Sequence, residues 1–192
     1  MSPVARSIVL PNQVQLPYVE QGDPAGVPVL FLHAVADSWH AFERVLAHLP
    51  DSLHAFALTQ RGHGDASRPA TGYRVQDFVS DVALFMDAIH LPSAVMVGGS
   101  SGGLVARRFA LDHPGRALGL VLLGSPASLR NNAGIKELWD ATISKLTDPV
   151  DPTFVREFSA STLAQPVAPA FFDLIVRESR KAPAFVWRAT VE

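Results

Sequence analysis

The stretch Val95-Met96-Val97-Gly98-Gly99-Ser100-Ser101-Gly102-Gly103-Leu104-Val105-Ala106 constrains this chain more than any other. Apolar residues suited to a strand run straight into a glycine-flanked serine, and a helix-like segment follows at once. So sharp a bend has a recognisable spelling, G-x-S-x-G, with Gly98 and Gly102 bracketing Ser100. A Cβ at either flank would strike the neighbouring strand or helix, and the bend forces the serine into strained backbone geometry. The hydroxyl is thereby pushed clear of the sheet. The rival glycine-rich turn, the dinucleotide fingerprint G-x-G-x-x-G, would need glycine at position 100, where this chain has serine.

Around that turn the chain alternates between strand and helix. Ser7 to Gln21 reads as two short strands with a turn at Leu10-Pro11-Asn12, and Gly22 to Gly26 is a turn cluster. Val27 to Leu32 is a continuous apolar run, the pattern of a strand covered on both faces. Ser38 is placed to cap a helix from Trp39 to about Leu49, with Pro50 beyond its end. His54 to Leu58 is another strand, and Thr59 to Gly72 a polar, glycine-rich loop. Phe78, Val82, Phe85 and Ile89 recur at helical spacing, which predicts an amphipathic helix over Val75–Ile89. The helix after Ser100 runs to about His113, and Leu118 to Leu123 is the next strand. This order predicts an α/β architecture with a mostly parallel sheet over residues 1–124. From 125 to 192 the pattern changes to helices separated at Asp148-Pro149, Asp151-Pro152 and Gln165-Pro166, which predicts a helical cap.

Composition narrows the function classes. With 48% hydrophobic and 18% charged residues over 192 positions, the chain can bury a core without staples. A net charge of -2 with no basic stripe argues against nucleic acid as a partner. The absence of cysteine rules out disulfides and thiolate metal sites, which fits a reducing, cytoplasmic setting. Met1 to Arg6 leads into no long apolar segment, and no run approaches the roughly 20 apolar residues of a membrane span.

A serine so exposed is suited to attack a carbonyl, provided N–H donors stabilise the resulting oxyanion. One donor would be the amide of Ser101, the residue after the nucleophile; the other would come from Val35, or Ala34, in the loop after the Val27–Leu32 strand. His33 is suited to stabilise that turn. In Thr59-Gln60-Arg61-Gly62-His63-Gly64-Asp65-Ala66-Ser67 the expected roles are structural, with Arg61 and His63 pinning neighbouring loops. Asp37 reads as a helix-start residue.

These segments together resemble the α/β-hydrolase fold superfamily, of the esterase, lipase and cofactor-free haloperoxidase kind. His33 to Ser38 resembles its HG-x-x-x-S segment, Thr59 to Ser67 its D-x-R-G-H-G-x-S loop, and Gly98 to Gly103 its G-H-S-x-G-G turn. Order and spacing match from near the N-terminus to Glu192. Three departures stand out: Ala34 for glycine, Gly99 for histidine and Thr59 for aspartate. The resemblance implies a serine hydrolase with Ser100 as nucleophile and no metal or organic cofactor. A carboxylesterase acting on small or medium apolar esters is the leading expectation. Lactonase, C–C hydrolase and perhydrolase activities stay open, as do a catalytically incomplete fragment and a non-catalytic small-ligand-binding protein on the same fold. Epoxide hydrolases and dehalogenases of this fold usually carry aspartate at the nucleophile position.

In such enzymes the triad runs Ser, then Asp or Glu, then His, on loops after strands that follow the cap. No strand is expected after Leu123, so neither partner is assignable here, and the C-terminal strands are expected to be missing or supplied from elsewhere. The Leu118–Leu123 strand would then be an apolar sheet edge, open to self-association. None of His40, His48, His54, His63, His90 and His113 is expected to replace the base. Ser125, Pro126 and Trp139 are the expected pocket contacts from the helical segment.

Overall fold

The computed structural model describes residues 3–128 and 132–191. Six strands form one sheet in the order β1-β2-β4-β3-β5-β6: β1 Val4–Val9, β2 Gln15–Gly22, β3 Val27–Leu32, β4 Leu53–Leu58, β5 Ala94–Gly99 and β6 Ala117–Leu123. β1 and β2 are an antiparallel hairpin, and β2 runs antiparallel to β4. β4, β3, β5 and β6 are parallel, as the alternation with helices requires. The hairpin turn closes through Leu10 N–H to the Val14 carbonyl at 2.9 Å, with Gln13 left-handed at φ 64°.

β3 is apolar throughout because it is covered on both sides. Leu30 and Leu32 face one buried cluster, Val29 and Phe31 the other. The first cluster is filled by Phe78, Val82 and Phe85 of helix α2 (Val75–Ala88) and by Val105 and Phe109 of α3 (Ser101–Asp112). The second is filled by Phe42 and Leu46, the latter from the short helix α1 (Glu43–Leu46). The single helix expected over Trp39–Leu49 is instead a 3-10 turn at Trp39–Phe42 followed by α1. Ser38 does cap it, its Oγ accepting from His40 N–H at 3.3 Å.

After β6 come α4 (Ala133–Ala141), α5 (Pro152–Ser161), α6 (Pro169–Ser179) and α7 (Ala184–Val191). α5 begins with proline at its first position, where no N–H is needed, and Asp151 Oδ1 accepts from Thr153 N–H at 2.8 Å. Ile143, Val155, Val176, Val186 and Trp187 join the same buried cluster as α2 and α3, so this helical segment packs on the body. Among the described residues β6 pairs only with β5, and Leu118, Leu120, Val121, Leu122 and Leu123 are all exposed, between 39% and 57%. None of the helices among the described residues is long and apolar enough to cross a membrane.

Candidate active site

The site lies at the carboxyl ends of the parallel strands, where strand-to-helix turns converge. At the end of β5, Ser100 has φ 48° and ψ -116°, a conformation that L-residues avoid. It is held from both sides: its N–H donates to the Leu123 carbonyl at 2.9 Å, and its carbonyl accepts from Gly103 N–H at 3.0 Å. The flanking glycines are required by contact. A Cβ on Gly98 would lie 2.5 Å from the Gly102 carbonyl oxygen, and one on Gly102 would lie 2.2 Å from that of Leu32. Gly99, by contrast, has no atom within 4 Å of the position a Cβ would take, so the histidine expected there would meet open space.

The loop after β3 is tied down by His33, which is fully buried. Its Nδ1–H donates to the Ala34 carbonyl at 2.7 Å, and its Nε2 accepts from Gln60 N–H at 2.9 Å. Only a neutral imidazole can do both. Burial, and then the neighbouring His63, lower its pKa to about 3. Ala36 is left-handed at φ 61°, which turns the loop back toward Ser38. The N–H groups of Val35 and Ser101 make no hydrogen bond with the described residues, and both residues line the cavity that contains Ser100. Ala34 is not on that wall; with Ser101 and His63 it lines a small neighbouring space of about 20 Å³.

Arg61 and His63 take the structural positions expected. Arg61 forms a two-bonded ion pair with Asp81 of α2, Nε to Oδ2 at 2.6 Å and Nη2 to Oδ1 at 2.5 Å, and donates to the Gly72 carbonyl at 2.8 Å. His63 Nδ1–H donates to the Arg61 carbonyl at 2.8 Å, and burial lowers its pKa to about 4. Asp81 belongs to no motif, and its one signal in the sequence is a carboxylate amid the buried stripe Phe78, Val79, Val82 and Phe85.

The Ser100 cavity has a volume of about 560 Å³. Ser125, Pro126 and Leu122 are in its wall. Trp139 requires correction: it is absent from the lining and packs partly buried against the core. Its neighbour Leu138, together with Ile135, faces the cavity instead, because α4 presents the side one turn apart rather than the aromatic. The wall also includes Ile143, Phe158, Trp187 and Thr190, which arrive from three separate segments and carry no motif. The loop at 125–127 is clamped to α3 by Arg107, which donates to the carbonyls of Pro126 at 3.0 Å and Ala127 at 2.8 Å.

None of the seven histidines lines this cavity. His54 pairs with Glu20 at 2.8 Å and His40 with Glu43, both away from Ser100. Asp37 lies in the loop after β3, where desolvation raises its pKa to about 7; it does not line the cavity. Among the described residues no group of three or more His, Asp or Glu is arranged to hold a metal ion.

Comparison with known proteins agrees with this geometry. Residues 27–173 match the family described as the alpha/beta hydrolase fold. A non-heme chloroperoxidase of Streptomyces lividans is 36% identical over 112 residues, 56% of this chain and 40% of that protein. A 3-oxoadipate enol-lactonase of Acinetobacter baylyi is 24% identical over 161 residues, 84% of this chain and 55% of that one. The matches thus span about half the length of these curated relatives. An esterase from Rhodococcus sp. ECU1013 superposes with a TM-score of 0.84 at 26% identity, covering 100% of this chain and 73% of that structure. The strained serine turn, the sheet order and the family match together establish that this chain belongs to the alpha/beta hydrolase fold family.

Proposed function

We propose that the chain is a serine hydrolase that cleaves carboxylic esters of small or medium size through an acyl-enzyme on Ser100. The observation that carries this reading is the placement of Ser100, at φ 48°, in one cavity wall with the unbonded N–H groups of Val35 and Ser101. Ser100 Oγ attacks the ester carbonyl carbon, and its oxygen becomes an oxyanion held by those two amides. The alcohol leaves with a proton; water then releases the acid and restores the serine. The Ser100 proton must pass to a general base, and none of the seven histidines lines the cavity to take that role. Lactone opening uses the same attack and oxyanion, so an enol-lactonase-like substrate is a variant of the same chemistry.

The lack of a cavity-lining histidine favours one second reading, a binding protein that holds a small apolar ligand without turnover. Hydrolysis of short-chain p-nitrophenyl esters by the chain and by Ser100→Ala separates the two. Multiple turnover that disappears in the variant supports the hydrolase. Equal rates for both, with saturable ligand binding by folded samples, would select the binding protein.

A further inference from the structure

We propose that a single water molecule binds between Gln60, His63 and Thr190, in the space of about 20 Å³ beside the loop after β3. This site goes beyond the hydrolase reading and stands without it. Among the described residues, five buried side-chain polar atoms have no hydrogen-bond partner. Three of them, Gln60 Oε1, His63 Nε2 and Thr190 Oγ1, belong to residues that line this one space. Buried polar atoms are almost always matched, and where the protein supplies no partner an ordered water commonly does.

The bonds already made fix what these atoms can do. Gln60 Nε2 donates to the His33 carbonyl at 2.9 Å, which leaves Oε1 as an acceptor. His63 Nδ1–H donates to the Arg61 carbonyl at 2.8 Å, and burial keeps the ring neutral by lowering its pKa to about 4. Its Nε2 is therefore an acceptor as well. Two acceptors cannot satisfy each other, so a donor must stand between them. Water has two hydrogens for this pair and a lone pair for the Thr190 hydroxyl. That makes three bonds, the usual number for a buried water, and about 20 Å³ exceeds the roughly 10–15 Å³ that one water needs.

Such a water bridges elements far apart in the chain. Thr190 belongs to α7. Gln60 is bonded twice to His33, its backbone N–H to Nε2 and its side-chain amide to the carbonyl, both at 2.9 Å, and His33 in turn holds the Ala34 carbonyl. The water thus joins α7 to the loop that carries the Val35 N–H.

A high-resolution crystal structure of the chain tests the site directly. The expected result is one density peak about 2.5–3.2 Å from all three atoms. It should persist in Thr190→Ser, which keeps the hydroxyl, and be lost from Thr190→Val, which replaces it with a methyl group. In solution, magnetisation transfer from a long-lived water to the His63 ring protons should appear in the parent and vanish in Thr190→Val. The parent alone can overturn the proposal, by showing no peak or a peak that touches fewer than three of the atoms. Contacts of about 2.0–2.4 Å would mark a cation and overturn it too. So would a peak undiminished in Thr190→Val.

Discussion

Replacing Asp81 by alanine should expose how strongly the glycine-rich loop depends on one buried ion pair. The Arg61 and Asp81 side chains are only 8% and 4% exposed, and two hydrogen bonds of 2.6 and 2.5 Å join them. Burial works against the Arg61 charge, and the hydrogen bonds and charge of Asp81 outweigh it, so its pKa is raised. Asp81→Ala leaves the guanidinium in a low-dielectric site with the Gly72 carbonyl as its remaining hydrogen-bond partner among the described residues and the charge of Asp77 nearby, and also removes the Asn12 anchor on Asp81 Oδ1 at 2.8 Å. Breaking such a pair costs about 3–5 kcal/mol. For a chain of 192 residues, that corresponds to a drop of about 7–12 °C in Tm. The cost lies in the orphaned charge rather than the lost pair, so Arg61→Met/Asp81→Leu should recover most of it. Thermal unfolding followed by circular dichroism measures both variants. A Tm within about 2 °C of the parent for Asp81→Ala, or a double variant no better than the single, would refute the reasoning.

Two further outcomes follow from contacts and charge. Gly102→Ala should cost about 3 kcal/mol or more, since its Cβ meets the Leu32 and His33 carbonyl oxygens at 2.2 and 2.5 Å. Gly99→Ala, with nothing within 4 Å, should change stability by about 0.5 kcal/mol or less, and denaturant unfolding of the two side by side checks the contrast. The buried histidines make the fold acid-sensitive. His33 and His63 are held at about 3 and about 4, below the unfolded value of 6.5, so between these limits the unfolded chain binds protons that the native chain does not. Stability is therefore complete above pH 6.5 and falls by about 1.4 kcal/mol per histidine per pH unit below it. Asp37, raised to about 7, acts in the opposite sense by favouring the native state as pH falls. Urea midpoints between pH 6.5 and 5 should fall with a net slope nearer one histidine than two, and Asp37→Asn should steepen it. A flat profile in Asp37→Asn would contradict this.

The sheet and the serine turn were legible from local pattern. Continuous apolar runs such as Val27–Leu32 mark strands buried on both faces, and the α2 stripe of Phe78, Val82 and Phe85 marks a helix with one buried face. The Gly98–Gly102 bracket around Ser100 announced a bend whose steric demand is set within a few residues. The Trp39–Leu49 segment divides into a 3-10 turn and a short α-helix, and capping and apolar content do not by themselves separate the two.

What the linear chain left undecided is everything made by residues far apart. Asp81 meets Arg61 across 20 positions, and Phe158 of α5 reaches the Ser100 cavity beside Trp187 and Thr190 of α7. The choice of Leu138 over Trp139 depends on how α4 is rotated against the body, which one residue of phase decides. The amino-acid sequence alone determined the strand-turn-helix at Ser100 and the parallel sheet that presents it, because glycine sterics and hydrophobic periodicity act locally. Only the tertiary structure decided the pocket walls, because those arise from packing between distant segments and leave no short-range pattern.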